Sequence, residues 1–186
     1  MMRIGVIGQS GLVSGEICAL AEEIGKEIAA RGAILLTGGT NGVMEAVSRG
    51  AKLAGGLVVG ILPGDTLEVA NEYIDVPITT GLSFDYRSLI LVHSSDALIM
   101  IAGGNGTLGE LSAAYLNRKP VIIVEPSGGW AARIRTAAYD ECYLDDRRSV
   151  KLDFVHTAQE ALDRVFERVP PIIRKVSGNN VRADGE

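Results

Sequence analysis

Apolar positions along the chain follow two alternating patterns. Residues 4–7, 33–36, 57–62, 97–101 and 121–124 are unbroken apolar runs of strand length. Between them the apolar residues fall at helical spacing. The stretch 16–30 places Ile17, Leu20, Ala21, Ile24 and Ile28 on one stripe, and Gly32 follows as a stop. The stretch 43–54 does the same with Met44, Val47 and Ala51, closed by Gly55 and Gly56. Residues 84–93, 108–116 and 131–142 also read as helical, and 63–80 is a long connection with a short extended piece near Ile78. Residues 151–155 read as a last short strand. Thr157 and Glu160 then form a capping box that opens a helix with Ala161, Leu162, Val165 and Phe166 inward. Strand, helix, strand repeated in this way implies parallel pairing. Strands that are apolar throughout, rather than alternating, imply cover on both faces. The expected fold is α/β, a single Rossmann-like domain whose open parallel sheet carries helices on both faces. It spans residues 1–169, and the Pro170-Pro171 step opens a polar, flexible C-terminal tail over 170–186.

Composition narrows the function. The chain has 186 residues, 47% of them hydrophobic, enough for one well-filled core. A net charge of -5 offers no global basic footprint, so nucleic acid is not an expected partner. Cys18 and Cys142 form no CxxC, and His93 and His156 have no HxxxH partner, so no metal site is expected. The start, MMRIGVIGQSG, reads as strand and turn rather than signal peptide. No apolar run reaches the roughly 18 residues of a membrane helix. A cytoplasmic protein without a membrane partner is expected. A mean hydropathy of +0.21 is high for an acidic chain of this size, and a homodimer or homotetramer would cover the excess apolar surface.

The glycines are the informative feature. G-Q-S-G-L-V-S-G contains Gly8, Gly11 and Gly15; T-G-G-T-N-G spans 37–42; A-G-G-N-G-T spans 102–107. Each cluster lies between a strand and the next helix, so all three belong at one edge of a parallel sheet. With strand order 3-2-1-4-5, the clusters after the first and fourth strands face each other where the order reverses. Glycine allows backbone N–H groups to approach an anion, and a helix N-terminus adds partial positive charge. A phosphate site follows. Its expected lining is Gly103, Gly104, Asn105, Gly106 and Thr107 at a helix start, Gly8, Ser10 and Gly11 on the facing wall, and Gly39, Asn41, Gly42 and Met44 on one side. No acidic residue ends the second strand to hold a ribose, and no GxxxxGK[ST] is present. The expected ligand is therefore a small phosphorylated molecule rather than a dinucleotide.

Two charged residues belong near that edge. Arg87 sits early in its helix, where it is either a catalytic cation or a solvated surface charge. Glu110 is three residues past Thr107, where it is either a catalytic carboxylate or the partner in a capping box. Asp65, Asp85, Asn41 and Asn105 are weaker candidates. Arg133 and Arg135 read as solvated.

These motifs resemble the LONELY GUY (LOG) family, long labelled lysine decarboxylases. The family pattern PGGxGTxxE is matched by A-G-G-N-G-T-L-G-E at 102–110, GGGxxGLM by T-G-G-T-N-G-V-M at 37–44, and the family arginine by Arg87 in F-D-Y-R-S. Ala102, Ser88 and Gly109 stand where the family commonly has Pro, Lys and Glu. The segments G-I-L-P-G-D at 60–65, T-G-L-S at 80–83 and G-G-W at 128–130 are closer to the branch that includes a molybdenum cofactor carrier. The resemblance implies hydrolysis of the N-glycosidic bond of cytokinin nucleoside 5′-monophosphates, with Glu110 and Arg87 catalytic and no cofactor required. The alternative it implies is a carrier that binds a phosphorylated pterin, the molybdenum cofactor, without turnover. A lysine decarboxylase needs a Schiff-base lysine in a pocket, and no lysine here falls near the glycine edge.

Overall fold

A computed structural model describes residues 1–169. The expected tail, 170–186, lies outside the described residues. Seven strands form one sheet: β1 (Arg3–Gly8), β2 (Ile34–Thr37), β3 (Leu57–Leu62), β4 (Val76–Thr79), β5 (Ala97–Ile101), β6 (Val121–Val124) and β7 (Asp153–Val155). Their order is β4-β3-β2-β1-β5-β6-β7, and every pairing is parallel. This is the expected architecture. The extended piece near Ile78 is β4, which adds itself to one edge.

The helices are α1 (Gly15–Ala30), α2 (Val43–Leu53), α3 (Phe84–Ser94), α4 (Asn105–Leu116), α5 (Ile134–Ala137) and α6 (Ala158–Arg168). Alternate residues of each central strand point to opposite faces. Ile99 and Ile101 of β5 therefore enter the core shared with α1, α2 and α6, where Ile24, Val47 and Leu162 are buried. Leu98 and Met100 enter the other core, with Leu91 of α3 and Leu111 and Tyr115 of α4. Both faces are covered, which is why these strands carry no polar alternation.

Two helices differ from expectation. Only Ile134–Ala137 is helical within 131–142. Asp140 and Glu141 adopt φ of 46° and 57°, and Tyr139 makes an isolated bridge to Tyr143, so the backbone turns where the apolar pattern continues. Helix α4 begins at Asn105 rather than 108, because Gly104 is its N-cap and the glycine motif itself supplies the first turn. The capping box at the last helix forms as expected: Thr157 Oγ1 accepts from Glu160 N at 3.2 Å, and the Glu160 carboxylate accepts from His156 N at 2.8 Å. Arg135 is half-exposed but not free in solvent. It pairs with Glu125 at 2.7 Å and lies 4.1 Å over the Phe154 ring. Among the described residues no helix is long and apolar enough to cross a membrane.

Candidate functional site

The three glycine clusters follow β1, β2 and β5 and lie together at the C-terminal edge, on either side of the point where the order reverses between β1 and β5. Loops tie the clusters to one another. Gly11 N donates to Asn41 Oδ1 at 2.9 Å, and Val43 N donates to Gln9 O at 3.0 Å. Asn71 holds the second cluster from outside, its N–H donating to Gly39 O and its Nδ2 to Thr40 O, both at 2.8 Å. The third is held by the loop after β6: Ala102 N donates to Ser127 Oγ at 2.7 Å, and Trp130 N to Gly103 O at 3.0 Å.

At the start of α4 the first intrahelical bond is Leu108 N to Gly104 O, 3.1 Å. The N–H groups of Asn105, Gly106 and Thr107 precede it. They have no partner within the helix and carry the positive end of its dipole. Asn105 and Gly106 are exposed, whereas Thr107 is buried.

Arg87 is buried, with 4% of its surface exposed. It lies on the inward stripe of α3, one turn before Leu91. Its Nε is shielded from solvent and has no hydrogen-bond partner among the described residues. Burial pulls its pKa below the usual arginine value, and the charge of Glu110 pulls the other way. The guanidinium fits because residue 38 is glycine: a Cβ there would overlap Arg87 Nη1 and lie 2.5 Å from Met44 Sδ. Gly38 is the site residue that glycine counting placed in a cluster but did not single out.

Glu110 is half-buried on α4, facing α3. It is not the partner in a capping box, because Thr107 already lies in the first turn and Gly104 makes the cap. Its carboxylate accepts from Ser88 Oγ at 2.8 Å. Burial raises its pKa above the usual carboxylate value, opposed by the Ser88 hydrogen bond and by Arg87. A buried cation and a carboxylate with elevated pKa, facing each other at a sheet's switch point, form the kind of pair found where chemistry is done.

Two adjoining cavities open here. The inner one, about 130 Å³, is lined by Gly8, Ser10, Met44, Arg87, Gly106, Thr107 and Glu110, with Phe84, Asp85 and Ser88 completing it from α3. The outer one, about 550 Å³, is lined by Ser10, Gly11, Thr40, Asn41, Glu45, Val69, Asn71, Glu72 and Phe84. Ser10 and Phe84 belong to both. Gly39 and Gly42 line neither and stand behind the wall. A Cβ at Gly39 would meet Leu62 Cδ2 at 2.6 Å, and one at Gly42 would meet Gln9 O at 2.6 Å. Their role is to let loops pack. Gly103 is likewise occupied, its Cβ position 2.6 Å from Thr107 Cβ. Gly104 and Asn105 are exposed at the helix start outside the lining of either cavity. Phe84, Ser88 and Glu45 were missed; the signal for the first two was their position on the helix that carries Arg87.

Residues 1–162 match the SLOG cluster4 family. The chain belongs to that family. Among relatives of this SLOG cluster4 protein, the cytokinin riboside 5′-monophosphate phosphoribohydrolase of Mycobacterium tuberculosis is 37% identical over 122 residues, which are 61% of this chain and 65% of that one. A solved structural-genomics target superimposes with a TM-score of 0.85 at 39% identity, covering 91% of this chain and all of that one. The molybdenum cofactor binding protein of Rippkaea orientalis superimposes with a TM-score of 0.78 at 32% identity, covering 90% and 96%. The LONELY GUY resemblance is borne out, and so is the kinship with the carrier branch.

Proposed function

We propose that this SLOG cluster4 protein binds a nucleoside 5′-monophosphate at the β1–β5 switch point and hydrolyses its N-glycosidic bond, releasing free base and ribose 5-phosphate. The observation that carries the reading is Arg87: a guanidinium buried to 4% exposure, with an unpartnered Nε, lining a cleft beside a helix N-terminus. Burying an unsatisfied charged donor is costly, and a bound anion relieves that cost. In this reading the N–H groups of Asn105, Gly106 and Thr107 hold the phosphate. Arg87 orients the sugar phosphate with its planar fork. Glu110 faces the anomeric carbon, where its negative charge stabilises the oxocarbenium-like transition state. With its elevated pKa it also accepts a proton from the attacking water, and that proton ends on the departing base, which restores the carboxylate. Water is the only co-reactant, and no cofactor takes part. The named activity of the Mycobacterium tuberculosis relative supports this reading.

The active form in this reading is a homo-oligomer. Helix α3, which carries Arg87, exposes Tyr86, Leu89 and Ile90 on its other side, an apolar face suited to a second copy. Light scattering at micromolar concentration should give a dimer or larger.

One second reading is favoured by a specific feature. Ser88 stands where hydrolases of the family commonly have lysine, and its hydroxyl engages the Glu110 carboxylate. A carrier of a phosphorylated pterin would use the same anion site without turnover, in keeping with the structural likeness to the Rippkaea orientalis protein. Base release from a panel of nucleoside 5′-monophosphates, run beside molybdenum cofactor binding, separates the two. In a hydrolase, Glu110→Gln lowers kcat by orders of magnitude and changes affinity little. Tight pterin binding with no base release from any nucleotide would retire the hydrolase.

A further inference from the structure

The outer cavity has a chemical bias. Its groups without a hydrogen bond among the described residues are two carboxylates, Glu45 and Glu72, and two donors, Ser10 Oγ and Asn41 Nδ2; the other polar side chains are already engaged. Asn41 Oδ1 accepts from Gly11 N, Asn71 is taken up by Thr40 O and Tyr73 N, and Thr40 Oγ1 donates to Met44 Sδ. Glu45 and Glu72 line the cavity too, and among the described residues neither carboxylate has a hydrogen bond or ion pair. Glu45 is half-buried and is the third residue of α2, directly after Met44, which lines the inner cleft. Its position is therefore tied to the Arg87 chamber. Phe84 lines both cavities and supplies an apolar ring face.

Two unpaired carboxylates repel a phosphate. A ligand spanning both cavities must place its anionic end at Arg87 and the α4 N-terminus, and its heterocycle outside. There it meets two carboxylates, which need donors, beside the Ser10 and Asn41 donors, which suit a carbonyl oxygen. A carboxylate is matched best by two adjacent, parallel N–H donors, because its two oxygens accept them together. Adenine presents no such pair on its pairing edge, and an N6-alkyl group adds bulk but no donor. The 2-amino-4-oxopyrimidine edge, with a ring N–H beside an amino group, presents it. Guanine and pterins share this edge.

We propose that Glu45, assisted by Glu72, selects ligands bearing a 2-amino-4-oxopyrimidine edge, so that the ligand is a guanine nucleotide or a phosphorylated pterin rather than an N6-prenylated adenine nucleotide. The proposal rests on the reading of the Arg87 cleft as a phosphate site. Titration calorimetry on the full chain, with GMP, IMP, N6-isopentenyl-AMP and neopterin monophosphate, tests it. IMP keeps the ring N–H of GMP and lacks only the amino group. A hydrogen bond to a charged acceptor is worth enough that GMP should bind about tenfold or more tighter than IMP. In Glu45→Gln that ratio should fall towards one, with Glu72→Gln showing a smaller fall and circular dichroism confirming both folds. Equal affinity for GMP and IMP, or a GMP preference that survives both substitutions, overturns the proposal. If IMP and isopentenyl-AMP still lose their bases, the hydrolase reading survives that failure. Glu45-dependent binding of neopterin monophosphate in preference to GMP assigns the edge to a pterin; the reverse order assigns it to guanine. Failure of all four ligands and of inorganic phosphate to bind would refute the phosphate reading itself, and the proposal with it.

Discussion

Arg87→Met should make the free protein more stable and destroy its affinity for anions. Methionine keeps an apolar stem of similar reach against Met44 and the α3–α4 packing, and it removes a buried donor, Nε, that has no hydrogen-bond partner among the described residues. An unsatisfied buried donor costs about 1–3 kcal/mol, more when charged. Some of that gain is offset, because Arg87 is also the cation that favours ionised Glu110. The clean measurement is therefore made in a Glu110→Gln background. There, Arg87→Met should raise the unfolding free energy by about 1–2 kcal/mol in urea titration, and the melting temperature by about 2–4 °C for each kcal/mol in a chain of this size. In the wild-type background the gain should be smaller. Addition of a nucleotide at 100 times its Kd should stabilise the parent by about 2.7 kcal/mol and leave the variant unmoved. The competing view makes Arg87 a structural ion pair with Glu110. Breaking such a pair by Arg87→Met in the wild-type background costs about 3–5 kcal/mol, the opposite sign to the small gain expected there. An Arg87→Met single variant less stable than the parent by that amount, or a double variant less stable than Glu110→Gln alone, would refute the claim that the guanidinium is held ready for a ligand.

Three further substitutions test the site. Glu110 has a raised pKa in the folded state, so the folded chain binds more protons than the unfolded one as pH rises above the ordinary carboxylate value. Stability should fall with rising pH through that window up to the raised value. The stability of Glu110→Gln minus that of wild type should therefore be near zero at low pH and positive at neutral pH; a difference flat in pH contradicts the burial argument. Gly38→Ala places a Cβ on Arg87 Nη1 at a residue without positive φ, so the backbone accepts it and the guanidinium must move; base release or ligand binding should drop at least tenfold with the far-ultraviolet spectrum unchanged. Ala102→Pro restores the family's usual residue yet should destabilise by more than about 2 kcal/mol, because Ala102 sits at φ 52° and its N–H donates to Ser127 Oγ, and proline permits neither. Chemical denaturation reads the effect directly.

The sheet was legible because burial on both faces writes a simple signature: β5 is apolar at all five positions, and each residue is buried. Helix α4 was misplaced at its start because its first turn is N-G-T, residues with weak helix preference that the N-terminal position overrides. The segment 131–142 misled for the opposite reason. Its apolar spacing continues past Ala137, and the turn is enforced by Asp140 and Glu141 at positive φ, a conformation that aspartate adopts more readily than most residues but that apolar spacing does not register. The glycines showed where the site lies but not which of them face it. Gly39 and Gly42 carry the same motif signature as Gly8 and Gly106, yet they serve loop packing.

Arg87 and Glu110 show why residue chemistry alone left two answers open for each. An arginine on a helix is normally solvated, and T-x-x-E is normally a cap. What decides is position relative to the core. Arg87 lies four residues before Leu91, which is fully inside, so its side chain starts on the buried stripe of α3. Glu110 directly precedes buried Leu111 and lies one turn after buried Thr107. Both charges thus occupy core-facing positions on neighbouring helices, and Gly38 leaves the space that one of them fills. A sequence selected for stability alone would place apolar residues at 87 and 110 and a larger residue at 38. The three choices each carry a cost in the empty protein, and they converge on one cleft beside one helix N-terminus. That convergence is the physical argument for a ligand, since a bound anion would complete the offset at Arg87 that the Glu110 charge supplies only in part.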